Sequence, residues 1–268
     1  MLSAAIAEYL VERNALVEAA LAERLPSGTV EPRRVHAAMR YAVLGGGKRV
    51  RPVLVLAVGE IGGLAPAQVL DAACAIEFVH AASLVLDDLP AMDNSDLRRD
   101  QPAVHRAYDE ATAVLASLAL LSDAYGLAAR NAAAFLDSAG VASVVATLSN
   151  TIGTSGLVHG QHIDLTLERD AHTPERLDEI HLQKAGTLFR AAIAVPAQIA
   201  RLERGQVLAL ERYASNIGVA FQIIDDIIDA HHLHSDGERK VTFVTFMGED
   251  GARRRADELV ASAVESLD

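Results

Sequence analysis

Apolar residues recur along this chain at helical spacing, and Gly and Pro gather between the apolar segments rather than inside them. Ala and Leu dominate those segments, and β-branched runs of two-residue period are scarce. The pattern predicts an all-α protein, a large single-domain helical bundle around a central cavity spanning residues 1 to 268. Breaks are expected at Pro26-Ser27-Gly28, Gly45-Gly46-Gly47, Gly62-Gly63, Pro90, Pro102, Gly140, Gly153 to Gly156, Gly205 and Asp236-Gly237. Residues 111 to 121 and 141 to 148 are apolar nearly all the way round, which suits helices inside a large bundle or against another subunit. The longest uncharged stretch, residues 138 to 158, is interrupted by SNTIGTSG and reads as two buried helical pieces joined by a turn rather than a transmembrane segment.

The 268 residues are 51% hydrophobic and 22% charged, a globular balance, and a chain this long buries about 75% of its unfolded surface. A formal net charge of −12 argues against nucleic acid as a partner. The single cysteine, Cys74, forbids an internal disulfide and suits a reducing compartment. The opening MLSAAIAEYLVERN places Glu8, Glu12 and Arg13 at helical spacing, unlike a secretory leader. A cytoplasmic location is the expectation.

Two acidic clusters change the picture from fold to chemistry. LVLDDLPAMD carries Asp87, Asp88 and Asp93, and FQIIDDIID carries Asp225, Asp226 and Asp229; each follows an apolar helical run. Asp225 and Asp229 are four apart, hence one turn apart on one face. Asp87 and Asp93 would fall on nearly opposite sides of a continuous helix, but Pro90 disfavours helix at Leu89 and lets the chain turn back. Carboxylates at a helix C-terminus and beside apolar surface are costly unless something positive joins them. A hard divalent cation such as Mg²⁺, shared with phosphate oxygens, removes that cost.

Basic residues supply the complementary half. GGGKRVRP places Lys48, Arg49 and Arg51 directly after three glycines, where backbone N–H groups can approach an anion that the cations neutralise. Arg98 and Arg99 follow the first acidic cluster. His80 precedes Asp87 by seven residues and shares its helix face, and Gln222 precedes Asp225 by three. Lys184 follows the amphipathic run LDEIHLQ, and Lys240 follows a polar loop.

These motifs, in this order from about Arg40 to Gly248, resemble the trans-isoprenyl diphosphate synthases: GGGKRVRP, DDLPAMD with LRR, GLVHGQHIDL, KAGTLF and FQIIDDIID. LVLDD and SNTIGTSGLVHGQ most resemble the geranylgeranyl diphosphate synthases of bacterial carotenoid pathways. The resemblance implies the isoprenoid synthase fold, a homodimer, and a Mg²⁺-dependent condensation of isopentenyl diphosphate with dimethylallyl, geranyl or farnesyl diphosphate. It implies that Asp87, Asp93 and Asp88 hold Mg²⁺ on the allylic diphosphate, with Asp225, supported by Asp226 and Asp229, holding a further ion. Arg98, Lys184 and Lys240 are then the clamp on the allylic diphosphate. Lys48, Arg51, His80 and Arg99 become the metal-free pocket for isopentenyl diphosphate, and Gln222 lies near the developing carbocation.

The chain departs from the family pattern at Leu86, where His is common, at Ser117-Leu118 for Gly-Asp, at Asp100 for Gly and at Ala185 for Thr. Product length follows from the residues below the first metal cluster. Ala82 and Ser83 lie about one turn down and leave the channel open, while Phe78 lies a turn further, about 13 Å along the axis from Asp87. Phe78 is expected either to floor the channel, giving a C20 product, or to pack in the core. Farnesyl diphosphate is the alternative product. Two other readings are a class I terpene cyclase, disfavoured by DDIID and by the GGGKRVRP element, and a catalytically silent partner subunit of a heteromeric synthase, disfavoured by two intact acidic motifs.

Overall fold

The structure is a computed structural model that describes residues 4–166, 173–232 and 242–268. Its described residues are almost entirely helical. In chain order these are α1 (Ala4–Arg24), α2 (Arg33–Leu44), α3 (Val50–Ile61), a 3₁₀ turn (Pro66–Val69), α4 (Leu70–Asp87), a small antiparallel hairpin of β1 (Leu97–Arg98) and β2 (Gln101–Pro102), α5 (Val104–Ala107) and α6 (Glu110–Ala133). There follow α7 (Ser138–Ile152), α8 (Leu157–Thr166), α9 (Pro174–His181), a π-helical segment (Leu182–Gly186), α10 (Thr187–Ile199), α11 (Arg204–His232) and α12 (Phe243–Glu265). The backbone forms two compact units, residues 1–148 with 195–201 and residues 149–194 with 202–268.

In the first unit α4 packs against α1, α2, α3 and α6. Its buried face alternates small and large residues, with Ala72, Ala75 and Ala82 among Ile76, Phe78 and Val79. The alanines let α6 approach closely through its own Ala113, Ala116, Ala124 and Ala128, all fully buried. Polar clamps hold the start of α4. Asn131 on α6 accepts the Ala72 N–H (2.9 Å) and donates to the Gln68 carbonyl (2.7 Å). Asp71 accepts from Arg24 of α1 (2.5 Å) and Arg130 of α6 (2.8 Å). Asp109 caps α6 by accepting the Thr112 N–H at 2.6 Å, satisfying one of the unpaired donors at a helix start.

The second unit is organised around α11 and α12. Val219, Ala220, Ile223 and Ile227 of α11 pack with Phe243, Ala252, Ala256 and Leu259 of α12 and with Leu177 of α9. The spacing of the α11 residues is the apolar stripe of an amphipathic helix. Gly248, at φ 68°, kinks α12 in a backbone region that L-residues avoid.

Three expectations need correction. The breaks assigned to Gly140 and Gly205 lie a few residues earlier, and both glycines are in the first turns of α7 and α11. Asp137 accepts the Gly140 N–H and starts α7 (2.9 Å), so the glycine is compatible with helix there. The stretch over residues 138–158 is two helical pieces with a turn at Gly153 to Gly156, but not buried ones. Only 22% of the most apolar window within Ser138–Thr166 is covered, because Val144, Leu148 and Thr151 form a narrow inward stripe. Of the two settings expected for residues 111 to 121, the bundle interior is the one corrected: Ala113, Ala116 and Leu120 are buried, whereas Val114, Leu115 and Leu118 are exposed.

By length and composition three helical stretches among the described residues are apolar enough to cross a membrane: Pro66–Asp87, Glu110–Ala133 and Ser138–Thr166. In the first, 67% of the apolar window is covered within the protein, which accounts for its hydropathy as packing surface. The expected break at Asp236-Gly237 lies outside the described residues.

Candidate active site

The glycine turn between α2 and α3 is built for close approach. Gly46 and Gly47 have φ of 93° and 136°. A Cβ on Gly47 would stand 2.9 Å from the Arg99 guanidinium, which donates to the Gly46 carbonyl. Arg49, the residue before α3, is itself left-handed at φ 48°. Its guanidinium is buried and donates to Glu18 of α1 (2.6 Å), Glu77 of α4 (2.5 Å) and the Val43 carbonyl (2.6 Å). Lys48 is exposed, whereas Arg49 and Arg51 are both buried, Arg51 in the first turn of α3.

His80 stands on the partly exposed face of α4 together with Ser83 and Asp87. Burial, reinforced by Arg51, Arg99, Arg49 and Arg98, holds the His80 imidazole well below the ordinary histidine range. It is therefore a neutral hydrogen-bonding group set among cations. Burial pushes the Glu77 carboxyl up, against the pull of Arg49, Arg51 and Arg99.

The first acidic cluster closes on itself after α4. Pro90 follows the helix end, and the Asp93 N–H donates back to the Asp87 carbonyl (2.9 Å), bringing those two residues together. The Ser95 N–H donates to the Asp88 carbonyl (3.2 Å). Asp88 is buried, and its carboxylate is gripped by Arg98, whose Nε lies 3.1 and 3.2 Å from the two oxygens. Burial alone would lower the Arg98 pKa, but Asp88, Asp87 and Asp93 raise it. All three carboxylates thus act on one guanidinium. Arg98 and Arg99 are carried by the hairpin, whose turn residues Arg99 and Asp100 both have positive φ (55° and 61°). A cleft beside it is lined by Tyr41, Leu84, Asp88, Arg98, Arg99 and Gln101.

Ala82 and Phe78 are fully buried on the other side of α4, where the Ala82 carbonyl accepts a hydrogen bond from Ser117 of α6 (3.3 Å). Phe78 is thus enclosed by the first unit's core. Ser83 donates to the His80 carbonyl (2.9 Å).

In the second unit Lys184 belongs to the π-helical segment, a widened turn that departs from the α ladder. That segment lies against α11 where two glycines meet, since a Cβ on Gly218 would come 2.9 Å from the Gly186 Cα. One turn beyond Gly218, Gln222 is partly exposed, as are Asp225 and Asp226, while Ile223 and Ile227 between them are buried. Asp229 lies one turn further along α11. Lys240 lies outside the described residues.

Among the described residues no three His, Cys, Asp or Glu side chains form a ready metal cage. All the candidate ligands are nevertheless hard carboxylate oxygens. That donor set fits Mg²⁺, which is typically bound by one or two carboxylates together with waters and substrate phosphates. Glu77 and Glu18 received no role from the sequence, and Arg49, grouped there with the anion-neutralising cations, is instead engaged by Glu18, Glu77 and the Val43 carbonyl. The available signal was Glu77 itself, a lone carboxylate within the apolar run CAIEFVHAA and three residues before His80.

Comparison with known proteins gives the family and the fold. The polyprenyl synthetase family model matches residues 32–242. A geranylgeranyl diphosphate synthase of Cyanophora paradoxa is 39% identical over 272 aligned positions, covering 97% of this chain and 89% of that protein. The large subunit 1 of an Arabidopsis thaliana heterodimeric geranylgeranyl pyrophosphate synthase is 37% identical, covering 97% of this chain and 73% of that protein. The crystal structure of an FPP/GFPP synthase from Zymomonas mobilis superposes with a TM-score of 0.89 at 34% identity, covering 99% of this chain and 94% of the other. A Legionella pneumophila geranyltransferase structure gives 0.88 at 32% identity, covering 97% and 90%. The fold is the all-α isoprenoid synthase fold, and the chain belongs to the polyprenyl synthetase family.

Proposed function

We propose that this chain is a trans-prenyltransferase that joins isopentenyl diphosphate to an allylic diphosphate, with geranylgeranyl diphosphate as its product. The observation that carries the reading is the meeting of an aspartate turn with an arginine hairpin at the end of α4, beside a glycine turn rich in cations. Carboxylates alone would repel a diphosphate, and cations alone would bind any anion. Together they select a diphosphate that arrives with a divalent metal.

Asp87 and Asp93, with Asp88, hold Mg²⁺ in this reading, and Asp225, Asp226 and Asp229 serve the same reaction. When bound, Mg²⁺ supplies positive charge to the departing diphosphate. Arg98, Lys184 and Lys240 clamp that diphosphate and stabilise the charge it gains as the C–O bond breaks. Lys48, Arg51 and Arg99 bind isopentenyl diphosphate, and neutral His80 donates one N–H to it without adding charge. The alkene of isopentenyl diphosphate attacks the allylic carbon as the C–O bond to the diphosphate breaks, Gln222 lies near the developing cation, and the departed diphosphate takes the proton whose loss forms the new double bond. Apolar walls exclude the water that would quench the cation. Val114, Leu115 and Leu118 offer an exposed apolar stripe suited to a second copy of the chain, which supports a homodimer. The buried, unpaired Cys74 supports a reducing, cytoplasmic setting.

The test is a product assay on the purified chain. Isopentenyl diphosphate is supplied with dimethylallyl, geranyl or farnesyl diphosphate, in Mg²⁺ or in EDTA, and products are sized by chromatography. Mg²⁺-dependent C20 product is expected. A stop at C15 would favour the farnesyl reading, for which the likeness to an FPP/GFPP synthase speaks. No condensation with any starter would favour a silent partner subunit.

A further inference from the structure

The buried Arg49–Glu77 pair lies beneath the cationic pocket, and nothing in the reaction uses it directly. One guanidinium gathers three elements: Glu18 of α1, the Val43 carbonyl near the end of α2, and Glu77 of α4, while its own backbone begins α3. Arg49 is 4% exposed and Glu77 3% exposed. The left-handed backbone at Arg49 is strained for an L-residue and persists only when its surroundings over-determine it. The three side-chain bonds provide that restraint. Directly before Arg49 comes Lys48, two residues after it comes Arg51, and the adjoining Gly46–Gly47 backbone is the seat of Arg99. Glu77 also stands one turn before His80 on α4. Every group assigned to the isopentenyl diphosphate pocket is therefore within a few residues of this pair or seated on the turn that it anchors.

Electrostatics points the same way. Burial pushes the Glu77 carboxyl up, and Arg49, Arg51 and Arg99 pull it back toward the charged form. A buried negative charge there, shared with Arg49, offsets the repulsion between Arg51 and Arg99, the two arginines assigned to the anion, so they need no substrate to bring them together.

We propose that Glu77, acting through Arg49, is a positioning residue that preforms the isopentenyl diphosphate pocket by fixing the glycine turn and offsetting its arginines. The proposal rests on the assignment of Lys48, Arg51, His80 and Arg99 to that substrate. It predicts a selective defect, because the bonds of the pair hold α1, the end of α2 and the glycine turn, the elements next to the residues assigned to isopentenyl diphosphate.

The test compares wild type with Glu77→Gln, which keeps shape and removes charge, and with Glu18→Gln at the more exposed end of the same guanidinium. Calorimetry measures binding of isopentenyl diphosphate to the whole protein in EDTA, and kinetics in Mg²⁺ measure KM for each substrate. For a folded Glu77→Gln, judged by circular dichroism and melting, isopentenyl diphosphate affinity should fall about 10-fold or more, as for lost supporting contacts elsewhere. Its KM should rise alike, with kcat and the allylic KM nearly unchanged, the mark of lost uniform binding. Unchanged affinity, or an equal rise in both KM values, would overturn the proposal. Should Glu77→Gln not fold, Glu18→Gln decides: several-fold weaker isopentenyl diphosphate binding supports the positioning role, and wild-type binding refutes it. Wild-type protein that binds no isopentenyl diphosphate would instead overturn the pocket assignment, and the proposal with it.

Discussion

Arg98 reaches back from the hairpin to grip the carboxylate of Asp88, the residue that caps the end of α4. Asp88 has a side chain only 3% exposed, whereas Arg98 remains 38% exposed. Removing one partner of a buried pair costs about 3–5 kcal/mol, and the exposure of Arg98 puts the expected loss at the lower end of that range. Arg98→Ala should therefore destabilise the protein more than Asp88→Asn does. The double variant should recover part of the loss, as a double-mutant cycle in urea will measure. Additive losses would show that the pair does not couple.

Phe78 is enclosed on the buried side of α4, one turn before Ala82. Phe78→Ala is expected to cost about 3–5 kcal/mol, as large-to-small core substitutions do. If the prenyl tail ends against this ring, the variant will also extend products beyond C20, read by chromatography. Products still stopping at C20 would leave Phe78 a packing residue and move the floor elsewhere.

Asp100 occupies the second positive-φ position of a two-residue hairpin turn, where glycine is the residue without steric penalty. Asp100→Gly should stabilise the protein by up to about 1 kcal/mol, measured as a raised urea midpoint with unchanged slope. A loss of stability would mean that the aspartate makes a compensating interaction.

Asn131 closes two backbone groups at the start of α4 while itself 6% exposed. Asn131→Ala leaves the Ala72 N–H and the Gln68 carbonyl without this partner. The expected cost is about 2–4 kcal/mol, from two buried groups at about 1–3 kcal/mol each with partial relaxation. Thermal melting checks it, and a shift within error would show that other groups take over.

His80 titrates well below the ordinary histidine value of 6.5 in the folded protein because burial and four arginines oppose its charge. The unfolded chain takes up a proton near pH 6.5 that the native state refuses. Stability is therefore intact above about pH 6.5 and falls as the pH drops below it, by at most about 1.4 kcal/mol per pH unit from this group. His80→Gln should flatten that acid limb in urea titrations between pH 7 and pH 5. An unaltered limb would show that other groups govern it.

The periodicity of the chain was enough to read an all-α fold, because helical spacing of apolar residues is a local property of consecutive positions. The same locality made both aspartate clusters, GGGKRVRP and the arginine pair legible. It also showed that Pro90 must turn the chain after Asp88, which the Asp93 to Asp87 bond now describes. Local pattern failed where exposure depends on a distant partner. Residues 111 to 121 look uniformly apolar in sequence, yet α4 covers only the face bearing Ala113, Ala116 and Leu120. Arg49 is the sharpest case. In sequence it is one cation among three in GGGKRVRP, and its neighbours Lys48 and Arg51 drew the functional reading. Only the packing of α1, α2 and α4 around it sets it apart, with Glu18 and Glu77 drawn from distant parts of the chain to join the nearby Val43 carbonyl. Residue type and spacing determined what chemistry this protein carries. Tertiary packing decided which charges are available for it, since burial and pairing are set by neighbours remote in sequence.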